Sequence, residues 1–99
     1  MAQQFKTFAE FYPFYLEQHQ HPWCRACHYL GSTLVLVNLF AALFWHSLSF
    51  IILMPICGYG FAWIGHFVFE RNRPATFSHP LYSLTADWVM YFRWLVGKD

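Results

Sequence analysis

The chain has 99 residues and a formal net charge of +1, with 58% apolar, 23% aromatic and only 11% charged residues. A water-soluble domain carries roughly 25% charged residues, so this composition excludes an ordinary soluble globule, and near-neutrality gives no basis for a nucleic-acid partner. The length allows a single domain, 1–99, and three cysteines cannot all pair within one chain.

The start, "MAQQFKTFAEF", lacks a cationic region followed by an apolar run and a small-residue cleavage site, so it does not read as a cleaved signal peptide. From Phe5 to Glu17, the residues Phe5, Phe8, Phe11, Tyr12, Tyr15 and Leu16 recur at spacings of three and four. That pattern predicts an amphipathic helix, expected to lie on a membrane surface and to break or kink at Pro13. Between Ala26 and Phe69 there is no Asp, Glu, Lys or Arg across 44 residues. A membrane crossing needs about 20 apolar residues, so this run predicts two transmembrane helices, one from Cys24 or Ala26 to Trp45 and one from Ser47 to Phe69, joined by a tight turn at "FWHS". Pro55, Gly58 and Gly60 are tolerated inside such a helix, and Gly58 with Ala62 forms a small-xxx-small pair that admits a close neighbour. After the polar connector "ERNRPATFSHP", a fourth helix is expected from Leu81 to Val96, short for a crossing. The expected fold is all-α: a small integral membrane bundle built on a central antiparallel hairpin, with an amphipathic N-terminal helix and a C-terminal helix.

Arg25 precedes the hairpin, and Arg71 and Arg73 follow it, whereas the turn around His46 has no Lys or Arg. The positive-inside bias places both ends of the hairpin, and both termini, on the cytoplasmic side, of the inner membrane if the source is bacterial. Cys24-Arg25-Ala26-Cys27-His28 spells the attachment signature of c-type haem. That attachment occurs on the opposite, oxidising side, so Cys24 and Cys27 read instead as small apolar packing residues at the interface. A zinc-finger reading lacks a second pair of ligands, which Cys57 does not supply.

The hairpin makes a sharper statement about histidines. His28 opens the first crossing and His66 closes the second, so antiparallel packing brings them to one level. His19 and His79 flank the hairpin on that side, with His21 near enough to compete with His19. Glu70 is four residues beyond His66 and thus on the same face of an α-helix. His46 is about 27 Å from His28 along the helix and belongs to the opposite surface. Candidate metal ligands are therefore His19, His28 and His66, with Glu70 and His79 as further members. Imidazoles plus a carboxylate suit a ferrous site of the two-histidine, one-carboxylate kind, while zinc would take four ligands in a tetrahedron. An ionisable residue inside an apolar helix, as His66 is, costs free energy unless it has a role.

The segments "FYPFYLEQH", "CRACHYLGS", "GYGFAWIGHFVFERNRPATFSHPLYSL" and "DWVMYF" resemble the short bacterial relatives of the fungal endoplasmic-reticulum 2-hydroxy fatty acid (2-hydroxypalmitate) dioxygenase, from about Phe11 to Phe92. The most specific part is G-H-F-x-F-E-x-N-R-P-A at Gly65–Ala75. The resemblance implies an integral membrane, Fe(2+)-dependent enzyme of fatty acid α-oxidation, with O2 and a fatty-acyl substrate as partners. Carried over by motif, its catalytic histidines fall on His19, His28 and His66. A 2-hydroxy acid can chelate iron through carboxylate and hydroxyl, which implies three protein ligands, with Glu70 either a ligand or a partner orienting a histidine. Arg25, Arg71 or Arg73 could grip the substrate carboxylate, or simply set topology and meet anionic lipid. The site's depth suits an amphiphile whose chain stays in the bilayer among Phe40, Phe44, Phe67 and Phe69, although these aromatics read first as ordinary packing and lipid contacts. The alternatives are a non-catalytic membrane scaffold whose histidines serve packing, and a haem-binding electron carrier.

Overall fold

The computed structural model describes residues 5–98, and among them there is no strand. Four α-helices follow in order: α1 at Phe8–Glu17, α2 at Pro22–Trp45, α3 at Leu48–Ile64 and α4 at Pro80–Leu95. A π-helical turn, Gly65–Glu70, extends α3, and a 3-10 turn at Ala75–Phe77 leads into α4. Thr7 starts α1 with a capping box. Its hydroxyl accepts from the Glu10 backbone, and the Glu10 carboxylate accepts from the Thr7 N–H at 3.2 Å. The expected break does not occur: α1 continues through Pro13, which lies on its exposed side.

α2 ends at His46, whose left-handed backbone (φ 51°) reverses the chain in two residues before α3 begins. The resulting hairpin is antiparallel and close. A Cβ on Gly31 would stand 3.2 Å from the Cys57 carbonyl oxygen and 3.2 Å from the Phe61 Cβ, so the backbone of α3 occupies the space a side chain would need. Gly58 faces the Val35 side chain in the same seam, and Ala62 is buried there, as the small-residue spacing leads one to expect.

The two hairpin helices, taken as Pro22–Trp45 and Leu48–Glu70, are long and apolar enough to cross a membrane. Only 33% and 11% of their apolar stretches are covered by the rest of the chain, which separates them from the core helices of a soluble protein. Phe44 is 75% exposed and Leu48 71%. The α1 stripe, by contrast, is turned inward. Phe11 and Tyr15 are buried with Ala75, Ala86 and Met90, and Phe8, Tyr12 and Tyr82 pack around them. This corrects the surface-lying expectation for these residues: the apolar face of α1 is spent on α4 rather than on lipid. By this packing α1 and α4 form a cap over one end of the hairpin.

Gly31→Ala should open the seam and destabilise the detergent-solubilised protein by about 1–3 kcal/mol, the range for overpacking a filled interior. Gly60→Ala, whose added Cβ would meet nothing within 4 Å, should be neutral or slightly stabilising. Thermal unfolding of the two variants beside wild type measures the contrast.

Candidate metal centre

Three imidazoles meet beneath the α1–α4 cap. His19 comes from the α1–α2 connection, His28 from the first turns of α2, and His66 from the π-helical turn, and all three are buried. The Nε2 atoms of His19 and His28 are 3.0 Å apart, and those of His28 and His66 are 3.3 Å apart. The Cys24 sulfur joins them, the four donor atoms all lying within 4.8 Å of one another.

Each ring is held by its other nitrogen. His19 Nδ1 donates to the Tyr15 carbonyl at 2.6 Å, and His28 Nδ1 donates to the Asp87 carboxylate at 2.9 Å. His66 Nδ1 donates to the Asn72 side-chain oxygen at 2.7 Å. The Asn72 amide cannot be turned round, because its Nδ2 donates to the Gln18 carbonyl and to the Gln18 side chain. A neutral imidazole has one N–H, and here every one is committed at Nδ1 to an oxygen that can only accept. The three Nε2 atoms therefore present lone pairs to one another, and the short separations between them are not hydrogen bonds. Protonation does not relieve His19. Burial, and then the neighbouring His28 and His66 rings, push its pKa down to about 2.

What relieves such a set is a cation. Metal–nitrogen bonds of about 2.0–2.1 Å subtending 90° to 109° put ligand nitrogens about 2.8 to 3.4 Å apart, the range seen here. The backbone is shaped for this. His66 lies in a π-helical turn, and its carbonyl accepts the N–H groups of both Arg71 and Asn72. Arg71 takes a left-handed conformation (φ 57°), which brings Asn72 back over the ring it orients. Gly65 lets α3 close on α2, since a Cβ there would sit 3.1 Å from the Cys24 sulfur.

Of the residues picked from the sequence, His19, His28 and His66 are brought together. Glu70 and His79 are not. The Glu70 carboxylate accepts the His21 backbone N–H at the start of α2, a position that the helix dipole favours for an anion. The carboxylate that orients a histidine is Asp87, from α4. His79 precedes α4, with Nδ1 2.9 Å from the Ser78 hydroxyl and its ring among Phe5, Phe11 and Phe14. His21 caps α2 by accepting the Trp23 N–H, and His46 sits at the far turn. Arg25 Nε donates to the His19 carbonyl at 2.6 Å, while Arg71 and Arg73 are exposed at the same end of the hairpin. Three contributors escape the sequence reading. Cys24 was taken for packing, although its position four residues before His28 was a usable signal. Asp87 and Asn72 had none, being partners through space alone. Cys24 is fully buried against Gly65, so a thioether there would have to displace α3, which argues against covalent haem.

Asp87→Ala should leave the fold in place but weaken divalent-metal binding about 10- to 100-fold, the usual cost of losing a carboxylate behind a ligating histidine. Chelator competition with Co(2+) or Fe(2+) under anaerobic conditions measures it.

Residues 5–99 match the family model described as 2-hydroxy-palmitic acid dioxygenase Mpo1-like. No curated protein and no solved structure matches the chain. With the match running over nearly the whole sequence, the chain belongs to the Mpo1-like family.

Proposed function

We propose that the protein is an Fe(2+)-dependent dioxygenase of fatty acid α-oxidation, embedded in a membrane, with His19, His28 and His66 as its metal ligands. The observation that carries this is the convergence of three Nε2 lone pairs on one point, each ring locked at Nδ1 by Tyr15, Asp87 or Asn72. The family description supplies the substrate class. The reaction is R–CH(OH)–COOH + O2 → R–COOH + CO2 + H2O. The C1–C2 bond breaks, C2 becomes the carboxyl carbon of an acid one carbon shorter, C1 leaves as CO2, and O2 takes up all four electrons. No further reductant is needed.

Bound iron would supply the redox chemistry with O2 that no side chain of this protein can perform. The chain's own residues do the rest. The three histidines hold the ion, and Asp87 and Asn72 keep two of the rings in the tautomer that can ligate. The Tyr15 ring stacks on His19 at 4.0 Å and, with Phe11, shields the centre from water. Glu70 and Arg25 fix the approach of the His19 segment to α2. The exposed apolar faces of α2 and α3 are suited to hydrocarbon. The arginines gathered at the metal end favour a cytoplasmic location for the site, where Arg71 and Arg73 can meet lipid headgroups or an approaching carboxylate.

Cys24 with three histidines would also suit tetrahedral zinc, so metal identity is the decisive measurement. Protein purified anaerobically should contain about one iron per chain and convert 2-hydroxypalmitate to the C15 acid and CO2. His66→Ala should lose both iron and turnover while keeping its helical circular dichroism. Folded wild type that holds zinc, or no metal, under these conditions would overturn the proposal.

A further inference from the structure

Two adjoining spaces lead away from the metal centre. The inner one is about 20 Å³, room for little more than one water-sized group, and is lined by His28, His66, Asp87, Tyr15 and Trp63 among others. The Tyr15 hydroxyl and the Trp63 indole nitrogen are buried and have no hydrogen-bond partner, an outstanding polar demand beside the imidazoles. The outer space is a cleft of about 290 Å³ between α2, α3 and α4, lined almost wholly by apolar groups, including Val35, Met54, Gly58 and Trp88. Tyr59, Leu84 and Asp87 line both. At the rim of the cleft, Pro55 of α3 and Leu84 of α4 are exposed.

Resting on the reading of the centre as a 2-hydroxy fatty acid site, we infer that these two spaces form one substrate channel. One oxygen of the polar head enters the inner space, taking hydrogen bonds from Tyr15 and Trp63, the rest of the head lies where the two spaces adjoin, and the alkyl tail lies in the cleft between α2, α3 and α4. The direction follows from chemistry, since the end lined by imidazoles and unpaired donors suits a polar head, and the other is mainly hydrocarbon. Scale fits too. Met54 is 12 residues from His66, about 18 Å along the helix, the reach of a long acyl tail. Gly58 and Val35, in contact across the seam, form part of the cleft wall. The channel does not run among the aromatics singled out in the sequence, which pack or face outward. Phe40 and Phe44 are exposed near the far turn, Phe69 packs on His21 and Trp23, and Phe67 packs on Phe77.

The test uses the full-length protein in detergent and a 2-hydroxy fatty acid carrying a diazirine near the end of its tail. Photolysis should label Val35, Met54 or Trp88, and excess 2-hydroxypalmitate should suppress the labelling. This readout needs no turnover. In active protein, Met54→Trp should cut kcat/KM for C16 relative to C10 substrate by about tenfold or more, as filling a pocket by a few carbons does. Tyr15→Phe should weaken binding of the 2-hydroxy acid more than that of the corresponding alkane alcohol. Labelling confined to the outer faces at Phe40 and Phe44 would overturn the channel, as would cleft labelling suppressed by phospholipid but not by the hydroxy acid. Either result is compatible with a working iron enzyme. Absence of iron and of turnover in wild type would instead strike the functional reading itself.

Discussion

The structure turns on three nitrogen lone pairs aimed at one buried point. Each imidazole has been deprived of any proton at Nε2 by an acceptor behind it, so none can satisfy its neighbour. Leaving a buried acceptor unsatisfied costs about 1–3 kcal/mol, and three of them together amount to a large part of the stability of a domain this small. The sequence nevertheless invests residues from every helix in maintaining the arrangement. A bound cation would convert this cost into binding energy. Metal affinity and folding would then be two views of one quantity, because the donor residues come from segments that the unfolded chain keeps far apart.

That dependence explains the architecture around the centre. The hairpin alone can align only His28 and His66. Bringing in His19 requires the chain before α2 to fold back over the open end of the hairpin. The Glu70 carboxylate at the His21 N–H and the Arg25 side chain at the His19 carbonyl hold it there. Supplying Asp87 requires α4 to lie alongside, and α4 is held by the Phe11, Tyr15, Ala86 and Met90 cluster. The cap formed by α1 and α4 is thus the device that delivers one ligand and one orienting carboxylate to a pair already set by the hairpin.

The same reasoning shows what a sequence can and cannot disclose here. Helical rise and antiparallel packing are simple arithmetic, so the hairpin, the shared level of His28 and His66 and the remoteness of His46 were legible. Position alone also brought His19 near. Glu70 was misplaced because the spacing rule for neighbours on one face belongs to the α-helix, and the chain turns as a π-helix from Gly65 to Glu70. An N-terminal backbone donor then captured the carboxylate. His79 was drawn to the right end of the molecule, but an aromatic shell fixed its ring elsewhere. Asp87 and Asn72 left no trace in the linear pattern, since the first depends on tertiary packing of α4 and the second on a left-handed residue, Arg71, that no propensity announces. The inward turn of the α1 stripe belongs to the same class. An amphipathic pattern says that a face is covered, and only the fold says by what.

Asp87 ties the chemical and the hydrophobic halves of the molecule together. One of its oxygens takes the His28 proton, and the residue also forms part of the wall of both the inner space and the apolar cleft. An amphiphile poses a problem that neither water nor lipid alone solves, because its reacting end is polar and its bulk is not. A centre sunk in the bilayer would strand the head, and one on a soluble face would leave the tail in water. At the mouth of a hairpin, the polar end of the proposed channel would be lined by side chains from four helices, while its apolar end would need only the space between three of them. On the proposed function, the short cap and the bare hairpin are complementary: the cap would complete the site, and the exposed hydrocarbon faces would put it where the tail of such a molecule resides.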